Sequence, residues 1–145
     1  MENEILIQLK HKTRELSVNV GGSQFNLKKH GAYDQGRYDF FKDIKSLEAL
    51  CLNNPYRKGY AILLTNDHRY WEKTMKLDCV DKDFHLYEGR KVVGSLTWQD
   101  EASHGTKSGR ENPIDLKSIY DLKWNNYSRF VAKDSEFRYL CVEVK

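Results

Sequence analysis

The sequence contains few of the residues that mark secreted or membrane proteins. Only three cysteines and two prolines occur among its 145 residues. Cys51, Cys79 and Cys141 are odd in number and widely spaced, so they form neither a C-x-x-C pair nor a disulfide ladder. The longest apolar run, residues 60–64, is far shorter than the roughly 20 residues of a membrane-spanning helix, and no secretory leader is recognisable. These absences predict a cytoplasmic protein without a membrane span, whose cysteines are buried small apolar side chains.

Motifs of several common enzyme classes are also absent. There is no G-x-S-x-G nucleophile elbow, no glycine-rich dinucleotide fingerprint and no H-E-x-x-H zinc motif. The five histidines are scattered, and Cys79 with His85 forms an isolated pair that has no further ligand at metal-binding spacing. The sequence therefore predicts no structural zinc site.

The composition is that of a folded domain. Hydrophobic residues make up 39% of the chain and charged residues 31%, which supplies enough apolar material for one core. The length predicts a single domain over residues 1–145. The net charge of +3 and the pI of about 8.7 stay below the level of roughly 9 that marks a strongly basic nucleic-acid module. Charge alone thus permits a nucleic-acid partner without indicating one.

Hydrophobic patterning in the N-terminal half predicts a strand, a hairpin and a helix. Residues 5–9 are apolar and rich in β-branched side chains, which is typical of a largely buried strand. Residues 16–27 alternate in polarity around a Gly-Gly pair that tolerates the positive φ of a hairpin turn. Apolar residues at helical spacing predict a helix over 39–51, which Asp39 would cap.

The rest of the chain consists mainly of predicted strands. The apolar run 59–65 suits an interior strand, and its position after a strand and a helix predicts a parallel crossover. Further strands are predicted over residues 84–87, 91–98, 114–124 and 137–144. The polar stretch 100–113 is expected to be a mobile loop. The predicted fold class is α+β, with a mixed β-sheet, a β-hairpin, one main crossover helix and a β-rich C-terminal half.

Four segments carry a resemblance to a known superfamily. They are residues 7–13 (IQLKHKT), 36–44 (GRYDFFKDI), 60–67 (YAILLTND) and 137–144 (FRYLCVEV). Together they resemble a family of uncharacterised bacterial proteins related to the PD-(D/E)XK, or restriction-endonuclease-like, nucleases. In that superfamily an Asp on one strand and a Glu-x-Lys on the next hold a divalent metal that orients the water for phosphodiester cleavage.

The resemblance implies a candidate catalytic pair, Gln8 and Lys10. Alternation along a strand places both side chains on one face. Gln8 stands where the metal-binding acid of Glu-x-Lys would be, as it does in some branches of the superfamily, and Lys10 would position the nucleophile or offset phosphate charge. Mg²⁺, which prefers oxygen ligands, is the cofactor that an active enzyme of this type would need. The alternative is an ordinary strand whose polar side chains face solvent.

The chain departs from the superfamily pattern upstream of this pair. The metal-binding Asp of the family lies on a preceding strand, and only seven residues precede Gln8. Glu2 and Glu4 share the parity of Gln8, but Glu4 would lie roughly 13 Å away along the strand and cannot replace the Asp. We expect either a naturally shortened relative or a reading frame that starts inside a longer protein.

Other polar groups have both a functional and a structural interpretation. The candidates for nucleic-acid contact are Lys12, Arg14, Trp71, Lys107 and Arg110, among which Trp71 could stack on a base. The alternatives are a solvated strand end, a flexible loop and aromatic core packing.

Two further groups of polar residues lie at predicted element ends. The cluster around Arg37 and Asp39 could bind phosphate at a helix start, or simply cap it with ion pairs. Residues 65–68 follow a buried strand, where they could contact a ligand or form a turn.

Three hypotheses follow for function. The first is a degenerate or truncated PD-(D/E)XK nuclease-like domain, inactive as an isolated chain, that binds nucleic acid or a partner. The second is an active Mg²⁺-dependent nuclease completed across a homodimer. The third is an interaction module whose exposed sheet edge pairs with a second copy or another protein.

Overall fold

A computed structural model describes residues 2–145 and shows a mixed α+β fold, as predicted. Its strands are β1 (Glu4–Lys12), β2 (Leu16–Val20), β3 (Ser23–Leu27), β4 (Arg57–Thr65), β5 (Lys91–Leu96), β6 (Ile114–Asp121), β7 (Trp124–Arg129) and β8 (Glu136–Val144). Its helices are α1 (Tyr33–Cys51) and the short α2 (His104–Lys107), with 3-10 turns at His68–Tyr70 and Lys82–Phe84. No helix within residues 2–145 combines the length and the apolar character needed to cross a membrane.

The main sheet has four strands in the order β1-β4-β8-β7. β1 and β4 run parallel and are connected through α1, so the predicted crossover is present. β8 is antiparallel to both of its neighbours. Two separate two-stranded antiparallel sheets, the hairpin β2-β3 and the pair β5-β6, complete the fold. The first turns at Gly21 and Gly22, whose φ angles of 58° and 84° explain the Gly-Gly pair.

Helix α1 covers one face of the main sheet. The predicted apolar positions are all buried in the core: Phe40, Ile44, Leu47 and Cys51. The helix begins at Tyr33, six positions before the predicted start, so Asp39 does not cap it. Gly36 lies in its first turns because the Tyr70 hydroxyl occupies the space of a side chain, 2.2 Å from where a Cβ would stand.

Several elements differ from the sequence-based expectation. β1 is an edge strand and not a largely buried one. Residues 84–87 form no strand, because Phe84 ends a 3-10 turn and residues 85–87 are irregular. The predicted strand 114–124 ends at Asp121 as β6, and β7 begins at Trp124. The expected loop 100–113 contains α2.

The three cysteines are free thiols in different environments. Cys51 is buried, as predicted. Cys79 is half-buried and Cys141 is exposed, so the expectation of three buried cysteines is wrong for these two.

Candidate functional site

Gln8 and Lys10 lie on the α1 side of β1, as strand alternation predicts. The ammonium group of Lys10 pairs with the Asp43 carboxylate of α1 at 3.1 Å. Gln8 is exposed. The one cluster of three or more His, Cys, Asp or Glu ligands within residues 2–145 lies elsewhere in the fold, so the neighbours of Gln8 in a single chain do not form the acidic set that Mg²⁺ needs.

The predicted nucleic-acid residues are separated, and two of the cations are neutralised by acids. Arg14 lies 3.2 Å from Asp134. Arg110 makes a two-pronged contact to Asp39 at 2.8 and 2.9 Å. Such pairing reduces the positive charge that either guanidinium offers to a phosphate.

The two lysines proposed for nucleic-acid contact are half-buried. The stem of Lys12 lies against the first turns of α1, 3.6 Å from the Cβ position of Gly36. Lys107 is the last residue of α2, whose backbone carbonyls at Gly105 and Thr106 accept hydrogen bonds from Gln35 of α1. Both lysines therefore flank the start of α1.

Trp71 is buried rather than free. Only 6% of its surface is exposed, its ring packs 5.8 Å from that of Trp124, and the Arg138 guanidinium lies 4.8 Å above it. A nucleic-acid base has no access to either face of a ring enclosed in this way, so the structure does not support the stacking role.

The polar residues after β4 form a turn that holds the fold together. Asn66 accepts from the backbone N–H of Arg14 at 2.8 Å and donates to the Asp134 carbonyl at 2.7 Å. Asp67 caps the following 3-10 turn and binds the Arg69 guanidinium at 2.6 and 2.8 Å. Burial alone would raise the pKa of Asp67. The hydrogen bonds from Arg69 and the positive charges of Arg69 and Arg14 outweigh burial, so the pKa of Asp67 is lowered.

The free edge of β1 carries an apolar stripe. Ile5, Ile7 and Leu9 are 64%, 60% and 70% exposed and share one face of the strand. The Glu4 N–H donates toward β4, to the Tyr56 carbonyl at 2.8 Å. Because backbone groups alternate along a strand, the odd-numbered residues of β1 direct their N–H and C=O groups away from β4, into the open edge.

The apolar stripe continues across the face of the main sheet opposite α1. The parallel register places Ile7 beside Tyr60 and Leu9 beside Ile62. Further along the same face, the β2-β3 hairpin and the sheet enclose an apolar cavity of about 430 Å³, lined by Leu64 among others. One face of the sheet is thus covered by α1, and much of the other is open.

A polar cleft of about 510 Å³ lies between the start of α1 and the segment around the second 3-10 turn. In its wall the buried Arg37 guanidinium donates to Asp81 at 2.5 Å, and the other Asp81 oxygen lies 3.1 Å from His85 Nε2. The Arg37 and Arg69 guanidiniums lie 4.7 and 4.2 Å from the ring centre of Tyr33. Burial would raise the pKa of Asp81, but the hydrogen bond of His85 and the charge of Arg37 outweigh it, so the pKa is lowered.

Sequence reasoning missed the cleft because its members are far apart in the chain. Arg37 lies on α1, and Asp81 follows an irregular, exposed segment that gives no periodic signal. Cys79, Asp81 and His85 are close in the sequence, but their spacing matches no known metal-binding motif. Only the fold shows that the three side chains lie together. Comparison of the chain with protein-family models, with curated proteins and with solved structures gives no match.

Proposed function

We propose that this chain is a binding module that acts as a symmetric homodimer, joined by antiparallel pairing of two β1 strands. The observation that carries the proposal is the exposed apolar stripe of Ile5, Ile7 and Leu9 on an edge strand with unpaired backbone groups. Monomeric proteins normally protect such an edge with charge, proline or a bulge on that face. The edge of β1 has no such protection on this face, so a second strand with the same apolar pattern can pair with it.

One register pairs every residue of the apolar stripe with another residue of the stripe. When the two-fold axis passes through Ile7, that residue faces itself in the second copy and Ile5 faces Leu9. The odd residues then form the hydrogen-bonded pairs of an antiparallel ladder, in which each facing pair exchanges two bonds. The four-stranded sheet of each chain becomes half of one continuous sheet.

The same register also matches charge. On the α1 face Glu4 would lie opposite Lys10 of the second copy, and Glu2 would lie opposite Lys12. Within one chain Glu4 already contacts Arg57 at 2.5 Å and Lys10 contacts Asp43 at 3.1 Å. The dimer would link these pairs into a row of alternating sign, and opposite charges facing each other across strands stabilise the pairing. Moving the axis to Gln8 would place Ile5 opposite His11 and Lys10 opposite Leu6, so these two residues would lose their matching partners.

The binding module fits the first hypothesis, a degenerate PD-(D/E)XK-like domain that is inactive as an isolated chain. The single chain provides Gln8 where a metal-binding acid is expected, and Lys10 is engaged with Asp43. The three free thiols suit the reducing cytoplasm in which we place the protein.

A second candidate, a nuclease completed across the homodimer, follows from the same register. Glu4 of the second copy would stand opposite Lys10, on the face that carries Gln8 and Asp43. If this arrangement is active, Mg²⁺ or Mn²⁺ supports cleavage of DNA or RNA, and Lys10→Ala abolishes it. Cleavage that survives Lys10→Ala would exclude Gln8 and Lys10 from the mechanism. If the wild-type dimer cleaves neither DNA nor RNA, the nuclease candidate fails and the binding module stands.

Sedimentation equilibrium tests the dimer with a matched pair of variants. Ile7→Lys places two like charges opposite each other on the axis and removes the apolar contact between the two Ile7 side chains, so the dissociation constant should rise about 10-fold or more. Val93→Lys replaces a similarly exposed residue on β5 and should leave the dimer unchanged. A wild-type chain that stays monomeric at high concentration would rule the proposal out.

Charge reversal tests the register. Glu4→Lys and Lys10→Glu should each weaken the dimer, since Lys then faces Lys and Glu faces Glu. A mixture of the two variants should associate more strongly than either alone, because the heterodimer restores both opposite-charge pairs. If the mixture associates no better than its components, the strands do not meet in this register.

A further inference from the structure

Three side chains of different chemistry meet in the wall of the polar cleft. The ligand atoms of Cys79, Asp81 and His85 all lie within 4.8 Å of one another. All three residues line the same cavity of about 510 Å³. We propose that Cys79, Asp81 and His85 form a binding site for a divalent transition metal of the zinc type, with a fourth coordination position open to the cleft.

The separations are close to those of a tetrahedral centre. Zinc bond lengths of 2.0–2.3 Å place two nitrogen or oxygen ligands roughly 3.3 Å apart, and sulfur slightly further from each. His85 Nε2 and Asp81 Oδ1 already lie 3.1 Å apart. Cys79 is half-buried and follows the exposed, irregular residues 72–78, so its sulfur needs only a small movement to close the set.

Arg37 supports the site from behind. Its Nη1 donates to Asp81 Oδ2 at 2.5 Å, which leaves Oδ1 on the side of His85 for the metal. Its Nη2 donates to the Arg69 carbonyl at 2.6 Å, and its side chain is only 7% exposed. A ligating carboxylate whose second oxygen is held by a rigid, buried donor is the usual outer-shell arrangement of protein metal sites.

The ligand set selects the class of metal. A thiolate and an imidazole are soft or borderline ligands that suit zinc and its neighbours, whereas Mg²⁺ and Ca²⁺ prefer oxygen alone. The thiolate and the carboxylate together balance the charge of a divalent ion. With protein ligands on one side only, the fourth position is left to water or to an anion, for which Lys73 of the cleft provides positive charge.

Cobalt substitution tests the site directly on the full chain. Co²⁺ should bind with a stoichiometry of one per chain and give both visible d–d bands and a near-ultraviolet band from thiolate-to-cobalt charge transfer. Cys79→Ser should remove the charge-transfer band and weaken Zn²⁺ binding, measured by competition with a chromophoric chelator, by at least ~10-fold. Cys141→Ser alters the exposed thiol outside the cluster and should change neither result.

A second ligand variant guards against loss of folding. His85→Gln should weaken the metal while the far-ultraviolet circular dichroism of the metal-free protein stays unchanged. The proposal fails if the wild-type chain binds no Co²⁺, or if the charge-transfer band persists in Cys79→Ser. It also fails if Cys141→Ser, rather than Cys79→Ser, removes the band. Repeating the titration on Ile7→Lys separates this result from the proposed dimer, since metal binding should survive there.

Discussion

β1 and β4 lie side by side in one sheet, have the same length and run in the same direction, but their burial differs sharply. β4 has hydrogen-bonded neighbours on both edges, and on the face opposite α1 its Tyr60 and Ile62 are half-buried. β1 has a neighbour on one edge, and its Ile7 is 60% exposed. The contrast teaches that apolar composition identifies a strand, whereas its place in the sheet decides burial.

The largest expected difference between β4 and β1 is the loss of unfolding free energy when one side chain on each strand is truncated. Leu63→Ala leaves a cavity in the closed core and should cost about 2–5 kcal/mol of unfolding free energy. Ile7→Ala in the monomer should cost no more than about 0.5 kcal/mol, as for other exposed sites. Urea unfolding at the lowest workable protein concentration measures both. Equal losses would show that β1 is as enclosed as β4 and would remove the contrast.

Substitution of a buried carboxylate should also cost more unfolding free energy than substitution of a carboxylate on the open edge. Buried Glu48 of α1 accepts the Lys117 N–H at 2.9 Å and the Tyr120 hydroxyl at 2.7 Å. Glu48→Leu leaves these donors without an acceptor and should lower the unfolding free energy by about 2–3 kcal/mol. Adding Tyr120→Phe removes one of the unsatisfied donors and should restore part of that loss. Glu4→Gln, on the open edge, should cost less than about 1 kcal/mol in the monomer. The comparison is contradicted if the Glu4 variant loses as much as the Glu48 variant in thermal or urea unfolding.

The turn after β4 should make stability depend on acid pH. The folded-state pKa of Asp67 is lowered, so its contribution is fully present above its unfolded value of about 3.9 and is lost as pH falls through the folded pKa. The unfolding free energy should therefore drop below about pH 4, and Asp67→Asn should flatten part of that slope. Its partner Arg69 is partly exposed, so solvent screening keeps the effect modest. An unchanged slope in Asp67→Asn would exclude this carboxylate.

The smallest effects should come from the basic residues. Arg110 is paired with Asp39 and Arg14 with Asp134, so DNA or RNA binding should be weak and should fall with added salt. Lys12→Ala should lower that binding slightly, and Lys107→Ala should do the same. Fluorescence anisotropy with a labelled oligonucleotide at two salt concentrations measures this. Tight binding that resists salt would show that the chain carries a specific nucleic-acid site.

Local pattern predicted those parts of the fold that depend on neighbours in the chain. The hairpin at Gly21, the buried face of α1, the interior strand β4 and the crossover all follow from period and turn chemistry. The exposure of β1 could not be predicted from local pattern, because it depends on β1 lying at the edge of the sheet with no strand beyond it. The burial of Trp71 could not follow for a similar reason, since only the fold brings Trp124 and Arg138 around it.

The candidate sites divide along the same line. Strand alternation correctly placed Gln8 and Lys10 on one face, but the contact of Lys10 with Asp43 joins β1 to α1 and had no local signal. The meeting of Asp81 with Arg37 likewise joins residues 44 positions apart. Sequence identifies the chemical groups, and tertiary contacts decide which of them act together.

Oxidative cross-linking of variants with one added cysteine tests the β1 pairing most directly, in a background where Cys79→Ser and Cys141→Ser leave only the buried Cys51. With the axis at Ile7, Ile7→Cys faces itself at about 5.5 Å between Cα atoms, which a disulfide can span, whereas the Cα atoms of two copies of Leu9→Cys lie roughly 14 Å apart. Ile7→Cys should therefore form a covalent dimer under mild oxidation, Leu9→Cys alone should not, and Ile5→Cys mixed with Leu9→Cys should. Failure of Ile7→Cys to cross-link, or equal cross-linking of Leu9→Cys alone, would contradict the proposed dimer.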